Sequence, residues 1–175
     1  MAISLDGFIA RENGGLDWLP GPGEVEGEDY GYHDFMETVD ALVMGRATFE
    51  TVLSFGVEWP YGNKPVVVLS RSDYELPHGM PDSVSVLSGS LTDIVSGLLQ
   101  QGFEHIYLDG GMAVRSFLQA GLVDRFILTV IPILIGSGRP LFGPLDDDIR
   151  MRLVDHVSWP SGLLQVTYQV APQGE

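Results

Sequence analysis

Ala41-Leu42-Val43-Met44-Gly45-Arg46-Ala47-Thr48-Phe49 is the stretch that decides the fold. An apolar run, Ala41–Met44, is cut by one glycine, and a helical stripe of Phe49, Val52 and Leu53 follows, closed by Gly56. A strand that passes through a glycine into a helix is the repeating unit of an α/β sheet. The same grammar recurs outward from it. Pro65–Leu69 (PVVVL), Val84–Leu87 and His105–Leu108 (HIYL) read as further short strands. Between them, Ser90 caps a helix over Leu91–Gln101, with Asp93 three residues on and Gly102 as the left-handed stop. Its stripe is Leu91, Ile94, Val95, Leu98 and Leu99. Val114, Phe117 and Leu118, ending at Gly121, make another helix, and residues near Tyr30–Val39 a fourth. Short strands alternating with helices predict a sheet covered on both faces. Arg125–Ile135 is long and nearly all apolar, with Pro132 marking an edge, bulge or end of pairing. Leu163–Val170 closes the chain, with Leu164, Val166, Tyr168 and Val170 on one face. No helical pattern separates these late strands, which predicts an antiparallel edge. Without repeats or a break in composition, residues 1–175 read as one domain.

Composition narrows the function. At 45% hydrophobic and 19% charged, the 175-residue chain can bury a core, which argues against long disorder. No apolar run reaches the roughly 18–20 residues a membrane span needs, and Met1–Ile9 is too short and lacks the basic flank of a signal peptide. The absence of cysteine removes disulfides, thiolate nucleophiles and cysteine-held metals. His33, His78, His105 and His156 are scattered, so no metal site is expected. A net charge of −15 repels nucleic acids and anionic membranes. The expectation is a soluble cytoplasmic protein that handles a small molecule. Seven acids and no base lie in Glu24–Asp40, read as a solvated loop running into a helix.

In α/β sheets, ligands sit beyond the carboxyl ends of the strands, so the strand-to-helix turns are where chemistry is sought. At Gly45-Arg46-Ala47-Thr48 the glycine lets the backbone approach a ligand. Arg46 and Thr48 add a cation and a hydroxyl to a helix N-terminus that already favours anions. At Asp109-Gly110-Gly111-Met112 two glycines strip the Cβ atoms from a second such turn, so a pyrophosphate could lie on bare backbone. After Leu69, Ser70 and Arg71 suit a phosphate monoester, a contact of about 1.5–3 kcal/mol. Gly136-Ser137-Gly138-Arg139 fails as a dinucleotide fingerprint, because Leu141 holds the sixth position and Pro140 and Pro144 forbid the helix; a tight loop is expected. Near the start, Asp6-Gly7 reads as a turn between two apolar steps. Asn13–Leu19 reads as a glycine-rich loop mobile enough to act as a lid, whose Trp18 either anchors it or stacks on a flat ring.

SLDGFIA (4–10), NGGLDWL (13–19), VMGRATFE (43–50), KPVVVLSRS (64–72), HIYLDGGMAVRSFL (105–118) and DRFILTVIPILIGSGRPLF (124–142), in this order, resemble the dihydrofolate reductase-like superfamily. Within it the resemblance is to the reductase domain of bifunctional riboflavin-biosynthesis deaminase–reductases and its stand-alone relatives. It implies a three-layer α/β fold, with a mixed, mostly parallel sheet of about eight strands flanked by helices. It also implies NADPH as cofactor. By this resemblance Gly45, Arg46 and Thr48 hold phosphates, and Ser70 and Arg71, after Leu69, the 2′-phosphate. Gly110 and Gly111, often joined by a cis peptide in the family, lie under the pyrophosphate, with Met112 and Ala113 opening the helix beside it. Ala2, Ile9 and Leu16 approach the nicotinamide. True dihydrofolate reductases carry a carboxylate on the first helix; here no acid falls cleanly at that place, and Asp34 is the candidate for an acidic substrate contact.

The activity so implied is hydride transfer from NADPH to a flat pyrimidine- or pteridine-like substrate, as in reduction of a ribosylamino-uracil. Asp6, Asp34, Thr129 or an ordered water is the source of the matching proton. Two other readings stand beside it: an NADPH-binding sensor without turnover, and an interaction protein whose Glu24–Asp40 surface meets a basic partner. A true dihydrofolate reductase is a further alternative. The apolar Phe126–Ile135 strand and the closing strand exceed what one subunit covers, which leads to the expectation of a homodimer.

Overall fold

Apolar runs and glycine stops fall where the sequence puts them in a computed structural model of the chain, which describes residues 1–19 and 28–171. The elements are β1 (Ala2–Ser4), β2 (Phe8–Ala10), α1 (Tyr32–Thr38), β3 (Ala41–Gly45), α2 (Arg46–Ser54), β4 (Val66–Leu69) and β5 (Val84–Leu87). They continue with α3 (Leu91–Gln100), β6 (Ile106–Asp109), α4 (Gly111–Gln119), β7 (Arg125–Ile131), β8 (Arg139–Pro140), β9 (Met151–Ser158) and β10 (Leu164–Val170). Two compact units result, Gly21–Ala113, and Met1–Pro20 with Val114–Glu175. Glu24 and Glu26 of the acidic stretch lie outside the described residues.

The Gly21–Ala113 unit holds a four-stranded sheet in the order β5-β4-β3-β6, parallel throughout. Ala41, Leu42, Val43 and Met44 of β3 have no exposed surface at all. Successive strand residues face opposite sides, so burial of all four means both faces of β3 are covered. Leu42 and Met44 join Val66, Val68, Val84 and Phe49 of α2 in one apolar cluster. Each such side chain contributes about 1.5–3 kcal/mol by leaving water. The helix ends follow the sequence. Ser90 Oγ accepts the Asp93 N–H at 3.1 Å, capping α3. At the other end Gly102 takes φ +88°, and the Gly102 and Phe103 N–H groups bond back to Leu99 and Leu98. Helix α1 is shorter than Tyr30–Val39, because Gly31 turns left-handed before it and the Asp29 carboxylate takes the Gly31 and His33 N–H groups.

The second unit holds the sheet β1-β7-β10-β9, in which β1 runs parallel to β7 and the rest are antiparallel, plus the pair β2-β8. Pairing on β7 stops at Ile131, since the next residue, Pro132, has no N–H to give. In β10 the buried residue is Thr167, on the face opposite the apolar row Leu164, Val166, Tyr168 and Val170. Strand β9 has no counterpart in the sequence reading: all eight of its residues are exposed, and MRLVDHVS neither alternates nor runs apolar. Its place comes from the backbone ladder with β10. The class is therefore α/β, as expected, with ten strands among the described residues that fall into a parallel sheet, a mixed sheet and a two-stranded pair, where about eight strands in one mostly parallel sheet were expected. Among the described residues, no helix is long and apolar enough to cross a membrane.

Candidate functional site: the strand-end turns

Parallel register sets the geometry of the turns in the Gly21–Ala113 unit. Met44 lies opposite Asp109, Gly45 opposite Leu69, and Leu69 opposite Leu87. The carboxyl ends of β5, β4, β3 and β6 therefore form one row, and the turns opened by Ser70, Gly45 and Gly110 stand side by side along it. Gly110 shows how tightly two of them meet. It sits at φ +89°, and a Cβ there would run into Thr48 Oγ1. Only glycine fits, on both backbone and packing grounds. Gly45 differs. Its φ of −75° suits any residue, and nothing lies within 4 Å of where its Cβ would be. Bare backbone thus faces open space at the head of α2, a nine-residue helix with no side-chain cap, whose first N–H groups remain available to an anion.

Around this row the side chains divide. Arg46 lies 3.4 Å from Glu50 and 5.5 Å from the centre of the Tyr74 ring, half exposed. Arg71 is exposed and makes no ion pair among the described residues. Ser70 is buried; its hydroxyl donates to Ser72 O at 2.8 Å in its own turn and its N–H to Leu87 O at the end of β5, so both donors are taken. Gly111 and Ala113 are buried at the start of α4, and Met112 is exposed. No peptide bond among the described residues is cis, which corrects the expectation for Gly110–Gly111.

One acid of the row was not singled out from the sequence. Asp109 ends β6 beside Gly110, and Tyr61 OH points to its Oδ2 at a long 3.5 Å. Burial raises its pKa above the ordinary carboxylate range, outweighing the Gly110 N–H and Tyr61 that lower it. Burial and Asp109 push the Tyr61 and Tyr107 hydroxyls well up, so both stay protonated. The signal that could have found it is an acid within an otherwise apolar strand, directly before paired glycines.

The remaining sequence-predicted residues are dispersed. Asp34 is exposed in the first turn of α1. Asp6, Thr129, Ala2, Ile9 and Leu16 belong to the other unit. There Asp6 receives Ser4 Oγ and the Ile135 and Gly136 N–H groups. Ser4 above all, with those amides, holds its carboxyl below the usual range. It is a turn clamp, ionised at neutral pH, and a poor proton source. Thr129 Oγ1 accepts from Gln165 at 3.1 Å, and Ala2 pairs with Thr129 across β1 and β7. Ile9 is in β2 and Leu16 in the glycine-rich loop. That loop is tied rather than free. Arg11 grips Asp17 with Nε at 2.7 Å and Nη2 at 2.8 Å, the Arg11 N–H bonds Gly15 O, and Trp18 is buried as its anchor. Residues 136–138 form the tight loop expected, with Gly138 pressed on Ala10 O, and Arg139 already opens β8.

The sequence model of the RibD C-terminal domain matches residues 1–165. The chain belongs to the RibD C-terminal domain family. It is 38% identical over 160 residues to the uncharacterized protein YwjB of Bacillus subtilis (strain 168), covering 87% of this chain and 86% of YwjB. A crystal structure of a Shewanella sp. PV-4 protein named for riboflavin biosynthesis is similar, with a TM-score of 0.89 and 42% identity over 98% of this chain and 96% of that one. A dihydrofolate reductase of Enterococcus faecalis, complexed with NADP(H), shares the fold at a TM-score of 0.62 and 20% identity, over 97% of this chain and 92% of that one. The dihydrofolate reductase-like class is thereby confirmed, and membership of the RibD C-terminal family supports a reductase-like role.

Proposed function

We propose that this RibD C-terminal family protein is a cytoplasmic NADPH-dependent reductase of a flat pyrimidine- or pteridine-like substrate. The observation that carries the reading is the row of parallel strand ends, where Gly45 and Gly110 leave bare backbone beside the uncapped head of α2. Open space at a Cβ-less position next to unpaired N–H groups fits a pyrophosphate. Arg46 and the first N–H groups of α2 would hold it, Thr48 would back the Gly110 turn, and the free Arg71 would take the 2′-phosphate. Ser70 shapes that turn instead of binding. When bound, NADPH supplies a hydride to an electrophilic carbon of the substrate.

The matching proton goes to the neighbouring heteroatom. Of the acids considered, Asp109 suits this task best, because burial keeps its proton on at higher pH than an ordinary carboxyl, and it stands beside Gly110 in the row. Tyr61 and Tyr107 remain neutral, and the Tyr61 hydroxyl faces the Asp109 carboxyl, so neither phenol competes with it for the proton at neutral pH. Titration of the full chain with NADPH and NADH by calorimetry tests the reading. NADPH binds about ten- to a hundredfold more tightly, and Arg71→Ala removes that preference while leaving NADH affinity unchanged. Failure of both nucleotides to bind overturns the proposal; binding with no reduction of any pyrimidine or pteridine leaves a sensor.

A further inference from the structure

Strand β6 sends Tyr107 and Asp109 to one face of its sheet, because residues two apart on a strand point the same way. They lie across from Leu42 and Met44, so this face carries the apolar cluster around Phe49. Within the Gly21–Ala113 unit, the titratable groups that face Asp109 are the hydroxyls of Tyr61, Tyr107 and Tyr32. Burial first, and then Asp109 itself, holds all three neutral, so none is a cation that would draw the proton off the acid. Of the three, Tyr61 is the one whose hydroxyl meets the carboxyl, 3.5 Å from Oδ2. Its aim has two supports. The Tyr61 ring stands edge-on to Trp59 with centres 5.0 Å apart, and Trp59 stands edge-on to the fully buried Phe49 at 5.6 Å. Three rings thus lead from the core to the acid. The backbone is held as well: Gly62 turns left-handed at φ +55°, the Lys64 N–H closes the turn on Tyr61 O at 3.0 Å, and Lys64 Nζ reaches Val39 O at 2.7 Å. Packing accounts for the ring, but it does not account for a hydroxyl that meets an oxygen of the acid.

That meeting has a chemical consequence. Two donors hold the Asp109 carboxyl, the Tyr61 O–H and the Gly110 N–H, and of these only the hydroxyl belongs to a side chain. When the carboxyl passes its proton to a heteroatom of a substrate, the O–H electron pair stays on the carboxylate and Tyr61 keeps its own hydrogen. The Tyr61 bond, long against a neutral acid, then meets a full negative charge. Hydrogen bonds to a charged acceptor are shorter and roughly twice as strong, and catalytic hydrogen bonds tighten in this way as the reaction proceeds. Burial retains the proton, and Tyr61 favours its release. Water returns a proton to Asp109 once product has left.

We propose that Tyr61 is a positioning residue for proton transfer by Asp109: its hydroxyl orients the carboxyl and eases release of the proton. The proposal rests on the reading of Asp109 as the proton source, yet its test needs neither cofactor nor substrate. The Asp109 carboxyl carbon is followed by carbon NMR against pH in the full chain, its signal identified by its loss in Asp109→Asn. Wild type is compared with Tyr61→Phe and Tyr107→Phe, since phenylalanine keeps the ring and its packing and removes the hydroxyl alone. The Asp109 midpoint rises by about 0.5–1 pH unit in Tyr61→Phe, the size of one ordinary hydrogen bond. In Tyr107→Phe it moves by less than half as much. An unchanged midpoint in Tyr61→Phe, or an equal shift in both variants, overturns the proposal. Should Tyr61→Phe misfold, the hydroxyl-bearing ring carbon of Tyr61 is followed in wild type instead. Its signal moves through the same midpoint as Asp109 if the two are bonded, and a signal that does not respond there overturns the proposal. NADPH binding without a midpoint shift sinks this proposal alone; a shift without NADPH binding upholds the Tyr61–Asp109 pair while the reductase reading falls.

Discussion

Strands β3 and β9 each belong to a four-stranded sheet, yet they are held by different physics. In β3 every side chain from Ala41 to Met44 is shut away from water, and both faces of the strand contribute to stability. In β9 every residue is exposed, and only backbone pairing with β10 keeps the strand extended. The contrast separates two jobs. Burial around β3 fixes the positions of Gly45, Ser70 and Gly110 to within a residue's register, as a phosphate-binding row requires. The β9 edge carries no such burden and is free to present a surface.

The strongest challenge to this division is removal of a β3 partner. Phe49 of α2 has no exposed surface and packs edge-on to Trp59 and Tyr74, with ring centres 5.6 and 6.2 Å away. Phe49→Ala should cost about 3–5 kcal/mol, read as a lower denaturant midpoint with an unchanged slope. A loss no larger than that of a surface substitution would mean the parallel sheet is not the stability centre. Next in size is Gly110→Ala, which sets a side chain against Thr48 at φ +89°. It should cost about 1–3 kcal/mol. Thr48→Ala added to it should restore part but not all, because the backbone strain remains; a double-mutant cycle measures the coupling.

Asp109→Asn probes the same row with the opposite sign. Below the ordinary carboxylate pKa of 3.8, the acid is protonated in both folded and unfolded chains and carries no penalty. As pH rises past that value the unfolded chain releases its proton while the folded chain still holds it, so wild-type stability falls until the raised folded pKa is passed. The variant lacks this cost. Its melting midpoint should exceed wild type at neutral pH and converge with it near pH 3, and a gap that does not close on acidification would show that Asp109 is not held neutral by burial.

The legible parts of the molecule are those where one local signal has one cause. Val84–Leu87 is legible to the residue, and the Ser90 and Gly102 ends of α3 follow from a hydroxyl and a glycine. The three turns could be found because a strand followed by glycine or by Ser-Arg is a local pattern. Asp109 was not assigned a role, since its character comes from burial beside Tyr61, which lies 48 residues away in sequence. Asp6 looked like an acid for catalysis until its hydrogen bonds to Ser4 and to the Ile135 and Gly136 amides fixed it as a clamp. The loop around Asn13 reads as mobile because two adjacent glycines, Gly14 and Gly15, sit in it, whereas the Arg11–Asp17 pair that ties it forms only once the chain has turned back on itself. Strand β9 is illegible for the plainest reason: with no buried face, hydrophobic period has nothing to record.

The smallest effect tests that last point. Leu153→Thr keeps a residue suited to a strand and removes apolar surface from a position that is 49% exposed. In an isolated chain, where the core packing is untouched, the change should lie within about 0.5 kcal/mol of neutral. In a dimer joined at β9 the same change acts on association, so wild-type melting should rise with protein concentration and the variant's should rise less. Melting curves at low and high concentration separate the two cases. Equal, concentration-independent shifts would make β9 a passive edge, while a gap that opens only at high concentration would show that the surface left bare by one chain is covered by another.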